Sequence, residues 1–202
     1  MNATPARNSS ILSSARRDSW HNEAMTMPEP ASAPSRFSAD DVLEILRVRG
    51  WLAAEASAEQ TAWCERAAAL LGPKSADVGA LEDLLSLVFH YQARELLATM
   101  DGHVVLSRYA ARDVIRKLAN LLLDPVPLTT ERFHELVDAL KSGLDVRGRE
   151  LFHPLRLALA GRSGEGELDR VVLLLDQAAA ADFQAAVKSA RTRIIEFCSA
   201  LD

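Results

Sequence analysis

From Ser38 onward, apolar residues recur three and four positions apart in short blocks, and glycine or proline closes most of those blocks. Val42, Leu43, Leu46 and Leu52 form one such set; Leu81, Leu84, Leu85, Val88 and Phe89 form another. This period puts one face of a helix against a core. Gly72-Pro73, Pro125, Pro127, Gly143 and Gly161 supply the stops, and Ser38 and Thr129 are suited to cap helix starts. Apolar residues make up 49% of the 202, but aromatics are only 5%. Leucine and alanine fill the difference, and both favour helix. The pattern therefore predicts an all-α chain, a compact multi-helix assembly over 39–202. Helices are expected at 40–54, 58–71, 78–100, 104–123, 130–141, 150–160, 168–175 and 180–201, with a turn at Asp101-Gly102. Residues 1–38, rich in Ser, Ala, Asn and Pro, read as a disordered tail.

The net charge is −5. A general nucleic-acid binder usually carries a basic excess, so any such contact here must come from a local patch. Cys64 and Cys198 lie far apart, without a secretory signal, and are expected to be reduced, buried thiols in a cytoplasmic protein. No apolar run approaches the roughly 20 residues of a membrane span.

One window is basic. Between Arg147 and Arg162, four arginines (Arg147, Arg149, Arg156, Arg162) stand against Glu150 alone, a net +3 over sixteen residues. Arginine suits RNA, because its planar fork matches phosphate and base edges and stacks on bases. Ordinary surface pairing with Glu150, Glu165, Glu167 and Asp169 is the competing account. Outside this window Arg108, Arg112 and Arg116 fall at four-residue steps, with Lys117 beside them. Four-residue steps line one helix face. Such a stripe can track a phosphate backbone or be a solvated face. A surface shared with Arg156 would favour the first.

The stretch Arg147-Gly148-Arg149, then Pro154-Leu155-Arg156-Leu157-Ala158-Leu159-Ala160-Gly161, then Leu168 and Val171 to Leu175, resembles the C-terminal anticodon-binding domain of bacterial glutamyl-tRNA synthetases. The family pattern is basic-Gly-basic, Pro-Leu-Arg, apolar-Ala-apolar-Thr-Gly, a short Gly-Pro loop, and an apolar helix ending Leu-Leu-Gly. The likeness is densest over about thirty residues around Pro154-Leu155-Arg156 and covers 79–176 at its widest. The resemblance implies the helical fold of the class I synthetase anticodon-binding domain and tRNA as partner, with the tRNA-Glu anticodon arm the specific expectation. By position it implies Arg156, with Gly166 and Leu168 in the following loop, against the anticodon bases. Arg147, Arg149, His153 and Arg162 join them as candidates. Three positions depart from the pattern: Ala160 replaces Thr, Glu165-Gly166 replaces Gly-Pro, and Asp176 replaces the closing Gly. The glutamate adds negative charge where the family meets RNA.

Pro154 sits inside the predicted 150–160 helix. Proline lacks an N–H and clashes with the preceding turn, so the helix either starts at Pro154, where proline is favoured, or kinks there. We expect the start, with Leu151 and Phe152 in an apolar loop beneath the domain.

A class I synthetase also needs a nucleotide-binding domain with His-Ile-Gly-His-like and Lys-Met-Ser-Lys-Ser-like elements, and neither stands in this sequence. His90, His103, His134 and His153 show no metal-ligand spacing. Ser163-Gly164 lacks the lysine of a phosphate-binding loop. No catalytic residue, metal or cofactor is expected. Two functions compete: an RNA-binding module acting beside a separate synthetase, and a helical protein–protein interaction module that kept the fold and lost RNA.

Overall fold

A computed structural model describes residues 36–164 and 166–201. Most of the tail expected at 1–38 lies outside the described residues. Among those described there are ten α-helices and no strand: α1 (Ala39–Val48), α2 (Ala58–Leu71), α3 (Val78–Phe89), α4 (Ala93–Ala98), α5 (Met100–Leu106), α6 (Ala111–Leu121), α7 (Thr130–Leu144), α8 (Gly148–Ala160), α9 (Leu168–Ala180) and α10 (Ala190–Ala200), with a 3-10 turn at Gly72–Lys74. The all-α expectation holds. Ser38 and Thr129 cap α1 and α7 with their hydroxyls, and Ser57 caps α2 in a reciprocal box with Gln60.

Two apolar cores form. α1, α2 and α3 pack around Trp63, Phe89 and Phe183, whose rings meet edge-on at 5.1–5.8 Å, while Trp51 stacks on Phe89 at 4.7 Å. The Trp63 indole N–H donates to the Leu174 carbonyl at 2.9 Å. The second core gathers α4 to α8 and α10 around Ile115, Leu136, Leu151, Leu155 and Phe197. α9 serves both: Leu168 and Val172 enter the second core, Leu174, Leu175 and Ala178 the first.

Arg193 stitches the two together. It is fully buried. Its guanidinium donates to the carbonyls of Val88 (2.6 Å), Leu159 (3.0 Å) and Lys188 (3.1 Å) and lies 4.5 Å from the Tyr91 ring centre. It thereby satisfies carbonyls at the ends of α3 and α8, which a helix terminus leaves without intrahelical partners. Burial pulls its pKa down to about 10, which leaves it charged at neutral pH.

Several boundaries differ from expectation. The helix predicted over 78–100 breaks after Phe89, because Tyr91 turns inward and its hydroxyl donates to the Ala158 carbonyl at 2.5 Å. Asp101-Gly102 is not a turn but part of α5, capped by Thr99. Gly102 serves close approach: a β-carbon there would stand 2.2 Å from the Leu96 carbonyl oxygen. The helix predicted over 104–123 is split: 104–106 belong to α5, and α6 starts at Ala111 after Ala110 takes φ +56°. α1 stops at Val48, short of 54. α7 runs through Gly143 to Leu144 and closes at Asp145 (φ +51°). α8 neither begins at Pro154 nor leaves Leu151 and Phe152 in a loop; it runs from Gly148 with Pro154 inside. The backbone bond that proline forgoes would have gone to the carbonyl of Glu150, four residues earlier. Glu150 is an exposed residue. α9 continues past Leu175 to Ala180, and α10 begins at Ala190 rather than 180. Asp176, where the resembled family closes its helix with Gly, accepts the Ala190 backbone N–H at 2.7 Å and so anchors the start of α10. Cys64 is buried, while Cys198 is only half-buried; neither is in a disulfide.

Candidate nucleic-acid interface

α8 presents the basic window. Its N-cap is Arg147, followed by Gly148 at φ +54°, a left-handed conformation that glycine takes without strain. Arg147 and Arg149 are exposed. One turn further on, His153 is half-buried, and its pKa is lowered, first by burial and then by the positive charges of Arg108, Arg149 and Arg156; Asp101 opposes them. Arg108 is thus among the charges acting on His153.

The connection from α8 to α9 is held from both sides. Asp101 accepts the Ser163 backbone N–H (3.0 Å) and hydroxyl (2.7 Å). Arg156 donates through Nη2 to the Gly166 carbonyl. Gly164 and Gly166 adopt φ +141° and +125°, a region essentially restricted to glycine. Glu167 pairs with Arg170 at 3.3 Å across the first turn of α9.

Arg156 stands between two depressions. One is lined by Leu71, Lys74, Leu87, Arg162, Ser163 and Gly164. The other is lined by Phe133, His134, Phe152, Gly166 and Leu168. The second sets an exposed His134 and a half-buried Phe152 beside a guanidinium, side-chain types on which unpaired bases stack, while Phe133 belongs to the core. Leu168 contributes from below, being only 3% exposed and packed in the core.

The Arg108, Arg112 and Arg116 stripe does not form as spaced. Arg108 precedes α6, which starts at Ala111, and so lies off that helix. Arg112 donates to the Leu201 carbonyl at 3.3 Å, in a different depression with His103, Leu106 and Ala200. Arg116 is exposed on α6. Arg108 is among the charges acting on His153 of α8.

Sequence reasoning missed two residues. Tyr109, beside Arg108, is 76% exposed, an unusual position for so large a ring. Lys74 follows a glycine–proline pair that reads only as a helix stop, yet its ammonium reaches the α8–α9 connection. Nothing in linear order relates it to Arg156. Among the described residues no cluster of three or more His, Cys, Asp or Glu is placed to hold a metal ion. None of their helices is long and apolar enough to cross a membrane.

The fold and this surface define an all-α domain with cations gathered about one glycine-bearing connection. The chain belongs to the anticodon binding domain family, whose model matches residues 39–182. Comparison with curated proteins and with solved structures gives no match. The family span takes in α1 and α2, well upstream of the 79–176 segment picked out by the sequence resemblance, and stops before α10. An anticodon-binding domain implies tRNA as the general class of partner, and it is the one domain identified in the chain.

Proposed function

We propose that this chain is a non-catalytic module that binds the anticodon arm of a tRNA, through Arg147, Arg149, His153, Arg156 and Arg162 with Arg108 alongside. The observation that carries this reading is the basic window on α8, from Arg147 to Arg156, with Arg156 bonded to the Gly166 carbonyl beside the depression that His134 and Phe152 line. Family membership supports the partner class. The resemblance of Pro154-Leu155-Arg156 to the glutamyl-tRNA synthetase pattern favours tRNA-Glu, with a separate synthetase supplying the chemistry in the cytoplasm. The helical domain in this reading spans 39–202.

Titration of the full chain with tRNA-Glu and an unrelated tRNA tests the proposal. Arg156→Ala is expected to cost about 1–3 kcal/mol and to erase the preference between the two. Absence of binding near physiological salt would sink it. The net charge of −5 and an apolar groove formed by Ala69, Leu70, Leu173 and Leu174 favour the protein-interaction reading instead. In that case a native-lysate pull-down, not the RNA titration, gives a specific partner.

A further inference from the structure

Lys74 belongs to the half of the molecule built on Trp63 and Phe89, whereas Arg156 and Arg162 belong to α8 and its end. The chain brings them to one place. A β-carbon on Gly166 would lie 3.0 Å from the Lys74 ammonium and 3.9 Å from Arg156 Nη1, so both cations stand within 4 Å of a single point. Gly166 itself holds φ +125°, a backbone conformation that residues with a β-carbon rarely adopt. Lys74 and Arg156 also line a cleft with Arg162, Ser163 and Gly164, whose apolar wall is Leu71, Leu84 and Leu87. Among the described residues, burial is the main influence lowering the Lys74 pKa; the Glu167 carboxylate opposes it, and the guanidiniums of Arg156, Arg162 and Arg170 add to it. That carboxylate is itself engaged by Arg170. Like charges held this close repel, and an anion between them relieves the repulsion.

We infer that Lys74, Arg156 and Arg162 form a seat for one phosphate of an RNA backbone, placed beside Gly166. A tetrahedral phosphate can accept from an ammonium and two guanidiniums approaching from different sides, which a flat carboxylate does less well. The inference rests on the RNA-binding reading and adds to it a contact from the opposite half of the molecule. Lys74 thereby fixes the register of the RNA on the surface, while groups facing the other depression meet bases. Phosphate contacts position a nucleic acid without reading its sequence.

The test uses the full chain, tRNA-Glu and an unrelated tRNA, over a series of salt concentrations. Lys74→Ala is expected to weaken both tRNAs by the same factor, up to about 5–8-fold at 0.1 M salt, and to flatten the log–log salt slope by up to about 0.7–0.9, the ceiling set by losing the whole phosphate contact, since Arg156 and Arg162 remain. Lys74→Arg should restore most of both. Lys74 is exposed, so an unchanged melting curve is expected, and Lys74→Gln serves as a second variant. If the wild type binds RNA while both neutral variants keep its slope and affinity, the seat is refuted and the RNA reading stands. A loss confined to one tRNA would make Lys74 a base contact and also overturn the assignment. No RNA binding by the wild type would remove both.

Discussion

Replacing Arg193 with Met keeps the length and much of the apolar stem of this side chain but removes the fork that joins the two cores. Three backbone carbonyls lose a charged donor. Two of them, Val88 and Leu159, are in buried hydrogen bonds, and leaving each without a partner costs about 1–3 kcal/mol. The contact over the Tyr91 ring, about 1–2 kcal/mol when desolvated, also goes. Against this, the fold no longer has to keep a full charge out of water, a relief of several kcal/mol. The balance is a net loss of about 2–4 kcal/mol, a large share of the roughly 5–15 kcal/mol that holds a domain together. For a chain of this size that is a fall in Tm of about 5–15 °C. Arg193→Lys keeps the charge but cannot reach three carbonyls from one planar group, so it should rescue little. Thermal melting by far-UV circular dichroism, with urea midpoints at unchanged m-value, measures both variants. A Met variant melting within about 1 °C of the wild type would refute the claim that this arginine locks α3, α8 and α10. The prediction bears on the site as well, since Arg193 lines the same cleft as Lys74 and Arg156 and holds the end of α8 from which Arg162 projects.

Two further outcomes follow from titrating groups. His153, with its pKa depressed by burial and by Arg108, Arg149 and Arg156, with Asp101 opposing, binds its proton less tightly folded than unfolded; the unliganded fold should lose stability as pH drops through about 6.5. An RNA phosphate nearby reverses this preference, so tRNA affinity should rise from pH 7.5 to pH 6; a His153→Gln variant with the same pH profile would disprove the placement. Burial pushes the Cys64 thiol up to about 12. An acid whose folded pKa is raised favours the fold below its unfolded value and weakens it above, so stability should decline at about 1.4 kcal/mol per pH unit above about pH 9. At pH 8 Ellman's reagent should label the half-buried Cys198 in the native chain and both thiols only after denaturation; rapid labelling of two would contradict the burial.

Helix content was legible because it depends on local chemistry. The 3.6-residue spacing of leucines, the capping hydroxyls of Ser38 and Thr129, and the stops at Gly72-Pro73 and Gly161 act within a few residues of themselves. The Pro154-Leu155-Arg156 motif was legible for the same reason. The breaks at Tyr91 and Ala110 were not. The first answers to a hydrogen bond with Ala158, which is remote in sequence. A proline inside α8 was misread because local sterics argue for a helix start there, while packing of Leu151 and Leu155 into the second core holds the turn before it in helix. The basic site divides the same way. Arg156 was visible as a motif residue and Arg108 as part of a repeat. That Arg108 lies before α6 while Arg112 sits on it and turns toward Leu201 depends on where α6 begins. Lys74 carried no linear signal at all. The amino-acid order determined that this chain is helical and where its arginine-rich segment lies. Only the packing of two cores against α9 decided which cations share a surface, because electrostatic neighbours are set by distance in space and the chain brings Lys74 to Gly166 through tertiary contacts alone.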